Sequence, residues 1–171
     1  QWRDEGKWKG MDQETRHFYE TPDGQLWLTD YFNGLTLADF SKGDALSPGL
    51  QRFDTLHGLP PPDRVVAFST DKGLRFATLQ GIFQLDAASK RFFRDTSLVQ
   101  GLARPDIGFF AVSRDSQGSF WLVADDNSQS GVARRRDKGE YIWDQTPFLR
   151  IADWLVFSVY PDPLSEQVTW I

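Results

Sequence analysis

A glycine followed three residues later by a large aromatic recurs along the chain: Gly24-Gln25-Leu26-Trp27, Gly73-Leu74-Arg75-Phe76 and Gly118-Ser119-Phe120-Trp121. A worn fourth copy, Gln167-Val168-Thr169-Trp170, lacks the glycine. The aromatics stand 49, 45 and 49 residues apart, and a second glycine (Gly34, Gly81, Gly131) opens a short apolar run after each complete copy. A repeat of this length with strand-like content implies propeller blades. Glycine suits a turn position with positive φ, and the aromatic that follows lies on a sheet face, where it fills the wedge between neighbouring blades. One such unit cannot bury both of its faces, so the units must stack.

Helical periodicity is nearly absent, and Gly or Pro interrupts most windows. The chain reads as all-β, with about three four-stranded antiparallel blades and partial blades at both ends. The first set of strands is expected at His17–Glu20, Gln25–Thr29, Gly34–Asp39 and Leu50–Asp54. The second is Val65–Ser69, Leu74–Thr78, Ile82–Asp86 and Arg91–Asp95, and the third is Ile107–Ser113, Ser119–Ala124, Gly131–Arg136 and Glu140–Gln145. Leu155–Tyr160 and Val168–Ile171 are expected as two strands of a fourth. Arg3-Asp4-Glu5-Gly6-Lys7-Trp8 resembles Arg136-Asp137-Lys138-Gly139-Glu140-Tyr141. Residues 1–11 are therefore expected to end a preceding blade. Blades follow over 12–55, 56–96 and 97–146, and a further one starts at 147–171. The first residue is Gln1, and an arc of this kind is expected to belong to something longer. By the wedge argument, Trp121→Ala should cost about 3–5 kcal/mol, the range for a core aromatic.

Seven Trp and fourteen Phe among 171 residues fit flat, half-buried sheets. The formal net charge of −5 argues against nucleic acid as a partner, because phosphate binding needs clustered Lys and Arg. With no cysteine there is no disulfide, thiolate metal site or cysteine nucleophile in the segment. No apolar run approaches the roughly 18–20 residues that span a bilayer, so direct membrane insertion by this segment is not expected.

The connector Phe53-Asp54-Thr55-Leu56-His57-Gly58-Leu59-Pro60 leads into Val65-Val66-Ala67-Phe68, then Asp71-Lys72-Gly73 and Thr78-Leu79-Gln80-Gly81-Ile82-Phe83-Gln84-Leu85-Asp86. The first repeat has Asp23-Gly24-Gln25-Leu26-Trp27-Leu28-Thr29 and Gly34-Leu35. The third has Gln100-Gly101-Leu102, Asp115-Ser116-Gln117-Gly118, Phe120-Trp121-Leu122 and Gly131-Val132. This series resembles the two-component regulator propeller repeat over nearly the whole chain. Phe76 departs from the family's tryptophan, and Ala124 with the loop 125–130 replaces a threonine and a short turn. The resemblance implies the periplasmic or otherwise extracytoplasmic sensor of a bacterial hybrid histidine kinase, or of a related membrane-bound receptor. Its implied role in signal transduction is to detect a ligand, often a carbohydrate.

Ser69-Thr70-Asp71-Lys72-Gly73-Leu74-Arg75-Phe76 also resembles the aspartate box of sialidases, which is itself a turn motif. Glycoside cleavage needs two placed carboxylates, and the spacing of the acids singles out no pair. His17 and His57 stand alone without metal-ligand spacing. Asp125-Asp126-Asn127 concentrates oxygen ligands but fits no calcium loop. Arg134-Arg135-Arg136 lies in a strand whose alternation sends its side chains to opposite faces. No catalytic residue, cofactor or metal site is therefore assigned, and the segment is not expected to be an enzyme.

In a propeller, the turns between second and third strands share one end with the connectors between blades. The ligand-binding candidates at that end are Tyr31, Phe32 and Asn33; Asp63 and Arg64; Gln80; Arg104 and Asp106; Asp125, Asp126 and Asn127; and Arg150 and Trp154. Expected partners are the remaining blades of a parent chain or a second copy, and an oligosaccharide. The alternatives are a polysaccharide-active propeller enzyme, glycosidase or lyase, and a non-catalytic interaction scaffold.

Overall fold

The computed structural model describes residues 8, 11, 15–30, 34–41, 47–61, 64–104, 106–165 and 169–171. It is all-β and antiparallel. Strands β1 (His17–Glu20), β2 (Leu26–Asp30), β3 (Gly34–Asp39) and β4 (Gly49–Phe53) form one four-stranded sheet in chain order. A second is built from β5 (Val65–Thr70), β6 (Gly73–Thr78), β7 (Gly81–Asp86) and β8 (Arg91–Arg94). The third contains β9 (Phe109–Arg114), β10 (Phe120–Ala124), β11 (Gly131–Arg135) and β12 (Tyr141–Asp144). Strands β13 (Tyr160–Pro161) and β14 (Thr169–Trp170) pair by themselves.

Tight turns between sequence neighbours explain this order. Gly24, Gly73 and Gly118 all have positive φ (81°, 102° and 82°), a conformation that costs glycine little and other residues more. Two of these turns differ from the third. Thr21 N donates to Gln25 O and Gly24 N to Thr21 O, and Asp115 N and Gly118 N repeat both bonds with Ser119 O and Asp115 O. The glycine is thus an extra, bulged residue in the hairpins β1–β2 and β9–β10. Hairpin β5–β6 has no such insertion, and Thr70 pairs directly with Gly73.

This difference corrects the expected repeat positions. Trp27 pairs with Tyr19, Trp121 with Ser113, and the residue in the same place of the second sheet is Arg75, paired with Phe68. Phe76 lies one residue further on and faces the other way. Its counterparts are Leu28 and Leu122. The aromatic repeat Trp27, Phe76, Trp121 is therefore not one structural position: Trp27 and Phe76 meet across a single interface, ring centroids 5.0 Å apart.

Each sheet packs on the next in sequence. Trp27, Leu35 and Phe53 of the first meet Val65, Ala67, Phe76, Phe83 and Phe92 of the second. The second sheet's other face, with Phe68, Ala77 and Ile82, meets Phe109, Phe120, Leu122 and Tyr141 of the third, joined by Leu98, Val99, Leu102 and Ile107 from the connection. The third sheet's far face, through Val123 and Val132, packs on Phe148, Val156 and Val159, with Trp121 half-buried beside them. Strand β5 touches β1 and β2 on one side and β9 on the other, and β9 touches β13.

Two further expectations change. Trp121 is half-buried while Phe120 is 1% exposed, so the full cost of losing a core aromatic belongs to Phe120. The strand expected over Leu155–Tyr160 is reduced to Tyr160–Pro161. Residues 146–151 instead form a 3-10 turn entered at Pro147, and Val156 and Val159 are buried without a ladder.

Gly108 marks where the connection into β9 passes the β6–β7 turn. A Cβ there would lie 2.4 Å from Leu79 Cα and 2.5 Å from Leu79 O. Its carbonyl also accepts from Asp125 N at 3.0 Å, so the backbone is held from both sides. Gly108→Ala is expected to cost about 1–3 kcal/mol, the range for overpacking. Urea unfolding measures this as a lower midpoint at unchanged slope, and a wild-type midpoint would contradict the close approach.

Candidate functional site

The turn β6–β7 and the connection into β5 meet at one end of the second sheet. Pro60, Pro61, Arg64, Val65, Thr78, Leu79 and Gln80 surround a cavity of about 150 Å³ there. Arg64 and Gln80, both expected as ligand contacts, are brought together in it. The Arg64 guanidinium lies over the Phe110 ring, 5.4 Å from its centroid, which fixes a cation at the rim. Thr78, 2% exposed, donates its hydroxyl to Gly81 O at 3.0 Å and accepts from Gln80 N at 3.0 Å. These bonds hold the Gln80 backbone. Such a site offers a planar donor fork, an amide and apolar proline walls, suited to a small polar ligand.

The other expected contacts do not join this cavity. Arg104 and Asp106 are exposed on the connection between β8 and β9. Asp126 caps a short 3-10 turn, accepting from Ser128 N at 3.1 Å and from Ser128 Oγ at 2.7 Å. Asn127 Nδ2 donates to the carbonyls of Ile151, Ala152 and Trp154, the last at 2.5 Å, and so ties down the segment that follows β12. Asp125 and Arg150 are exposed, and Trp154 is 67% exposed. Tyr31, Phe32, Asn33 and Asp63 lie outside the described residues.

His57 is occupied locally. Its Nδ1 stands 2.9 Å from Asp54 Oδ1, and Asp54 also accepts from Leu56 N at 2.9 Å. The His57 hydrogen bond is the main influence that holds the Asp54 carboxyl below its ordinary value. His17 is exposed in β1. Of the arginine run, Arg134 pairs with Asp144 at 3.1 Å and lies over Trp121, while Arg135 turns to Asp71 at 2.6 Å. The expected alternation of faces accounts for that split. Among the described residues, no group of three or more His, Asp or Glu side chains is placed to hold a metal ion. No described helix is long and apolar enough to cross a membrane.

Two features escaped the sequence reading. One is the buried ion pair between Arg75 Nε and Asp95 Oδ2, whose side chains are 7% and 10% exposed. Its sequence signal is the shorter turn Thr70-Asp71-Lys72-Gly73, which lacks the extra residue that Gly24 and Gly118 supply in the other two hairpins. The other is a larger, polar cleft at the opposite end of the sheets. No known protein family matches the chain, and no curated protein matches it.

Proposed function

We propose that the stacked sheets are consecutive blades of a β-propeller, and that the chain is a ligand-sensing part of a bacterial membrane-bound receptor. The observation that carries the propeller is the series of contacts between first strands, β1 with β5, β5 with β9 and β9 with β13. Sheets that touch in turn along their first strands fan out around a common axis. The sensor role rests on the resemblance to the two-component regulator propeller repeat, which also implies an extracytoplasmic location. The cavity holding Arg64 and Gln80 is the proposed ligand site. A ligand there would bias the receptor by favouring one of its arrangements.

Leu149, Trp154, Leu155, Phe157 and Leu164 present apolar side chains on the last sheet's side, 66% to 95% exposed. Further blades or a second copy would cover them. The test is a thermal-shift screen of neutral and acidic oligosaccharides, repeated with Arg64→Ala and Gln80→Ala. At least one saccharide should raise the melting temperature saturably, and both variants should abolish the rise. Turnover of a polysaccharide would replace this proposal with an enzyme. A protein partner that binds while no saccharide shifts the melt would replace it with a scaffold.

A further inference from the structure

At the end of the sheets opposite Arg64 and Gln80, two arginines converge on one carboxylate. Arg114 Nη2 lies 3.1 Å from Asp71 Oδ1, and Arg135 Nη2 lies 2.6 Å from Asp71 Oδ2. The arginines end β9 and β11 of the third sheet, whereas Asp71 sits in the β5–β6 turn of the second. Gly118 keeps the space beneath them open. A Cβ there would meet Arg135 Cδ at 3.1 Å and Arg114 Nη2 at 3.2 Å. The flat face of Arg114 is held over the Phe120 ring, 5.5 Å from its centroid.

One observation points outward from this pair. The Arg135 guanidinium and Asp71 border an open cleft of about 1030 Å³, whose lining also includes Arg136, Asp137, Lys138 and Glu140. The lining balances three cations (Arg135, Arg136, Lys138) against three carboxylates (Asp71, Asp137, Glu140), but at the junction two guanidiniums, Arg114 and Arg135, face the single carboxylate of Asp71. The junction therefore keeps one positive charge at the cleft's edge, on a chain whose formal net charge is −5. In addition, the hydroxyl of Tyr141, a residue 3% exposed, is buried without a hydrogen-bond partner. Burial raises its phenol above the ordinary value, and the nearby charges acting on it are Asp71, Arg114, Arg135 and Arg75. Tyr141 pairs with Arg135 across β11 and β12 and belongs to the core between the second and third sheets, so this hydroxyl lies behind the arginine pair and not in the cleft.

We propose that this cleft binds a polar small molecule bearing a carboxylate or a phosphate. The anionic group sits on the guanidinium donors that Asp71 does not use. Each guanidinium has five N–H donors and gives one here to Asp71, so the fork can take a second oxyanion without losing the first. Glu140 lines the same cleft and can accept from hydroxyls or amides of the ligand body. Because Asp71 belongs to one sheet and both arginines to the next, an occupant also joins the two sheets at that end.

The experiment is calorimetric titration at low ionic strength with inorganic phosphate, glucuronate and, as the uncharged control, glucose. Phosphate or glucuronate should bind saturably and glucose should not; which anion binds tells phosphate from carboxylate chemistry. Arg114→Gln and Arg135→Gln should each weaken the anion about tenfold. Should a glutamine variant fail to melt cooperatively, Arg135→Lys keeps the charge but loses the fork and should still weaken binding. No saturable binding of either anion, or affinity unchanged in all folded arginine variants at this cleft, would overturn the proposal.

Discussion

Trp27→Ala is expected to destabilise the chain by about 3–5 kcal/mol, the cost of emptying a fully packed aromatic site. Trp27 is 2% exposed. Its ring stacks on Phe53 at 5.6 Å and meets the edge of Phe76 at 5.0 Å, with Phe92 behind both at 5.5 and 5.1 Å. The removed ring would leave a hole lined by three phenyl groups from two sheets. The indole contributes packing alone, because its Nε1 is buried without a partner. In the third sheet, Trp121 Nε1 donates to Asp115 Oδ2 at 3.1 Å. Thr21 occupies the place of Asp115 in the first sheet, and its hydroxyl is bound to Gln25 N and O. Trp27→Phe, which keeps most of the packing and removes the unpartnered N–H, should therefore cost only about 1–2 kcal/mol. Urea unfolding reads both values. A loss under about 1 kcal/mol for Trp27→Ala would mean that the first two sheets do not rest on this ring.

Arg75→Met should cost about 3–5 kcal/mol, because it leaves Asp95 buried without its counter-charge. The double variant Arg75→Met/Asp95→Asn removes both charges and should return to within about 1 kcal/mol of the wild type. Arg75 Nη1 also donates to the carbonyls of Lys72 and Leu74 at 3.2 and 3.0 Å, and Asp95 accepts from Ser97 N at 2.8 Å. Burial pushes the Asp95 carboxyl up. The Ser97 N–H and hydroxyl and the Arg75 guanidinium outweigh it and hold the group below its ordinary 3.8. The folded value is thus the lower one. The stabilisation is present above pH 3.8 and is lost as pH falls below it through the folded value. Wild-type protein should lose stability in that acid window more steeply than the double variant. Equal acid profiles would show that the pair carries no such linkage.

The hairpins were legible in the sequence because their signals are local. Glycines that need positive φ punctuate the chain, and the strands of the second sheet fall within a residue of their expected ends. Which face a side chain takes depends on a single inserted residue, and the constant Gly-x-x-aromatic spacing hid it. Gly73 pairs with Thr70 and stands where Gln25 and Ser119 stand in the other two hairpins, so the extra residues are Gly24 and Gly118. Trp27 and Phe76 therefore looked equivalent although they face each other. Nothing local in the sequence announces the burial of Arg75, because its partner, Asp95, lies twenty positions away beyond two strands. The candidate site was legible in part. Arg64 and Gln80 converge because a connector and a turn share one end of a sheet. Asp126 spends its carboxylate on a turn cap, and Asn127 gives its amide N–H to the carbonyls of residues 151–154 while its oxygen accepts from Ser130 Oγ. Composition does not tell such tying from binding. The Asp71 junction with Arg114 and Arg135 spans more than forty residues, and no local pattern announces it.

Consecutive sheets stacked face to face are the premise for everything proposed of this chain, and a double-mutant cycle on Trp27→Leu and Phe76→Leu reads that stacking most directly. The two rings belong to different sheets and touch at one interface, so their losses should be coupled by about 0.5–1.5 kcal/mol. Trp27→Leu combined with Trp121→Leu should instead be additive within about 0.5 kcal/mol, because those rings lie on separate interfaces. Additive losses at Trp27 and Phe76, or coupled ones at Trp27 and Trp121, would contradict the stacked arrangement.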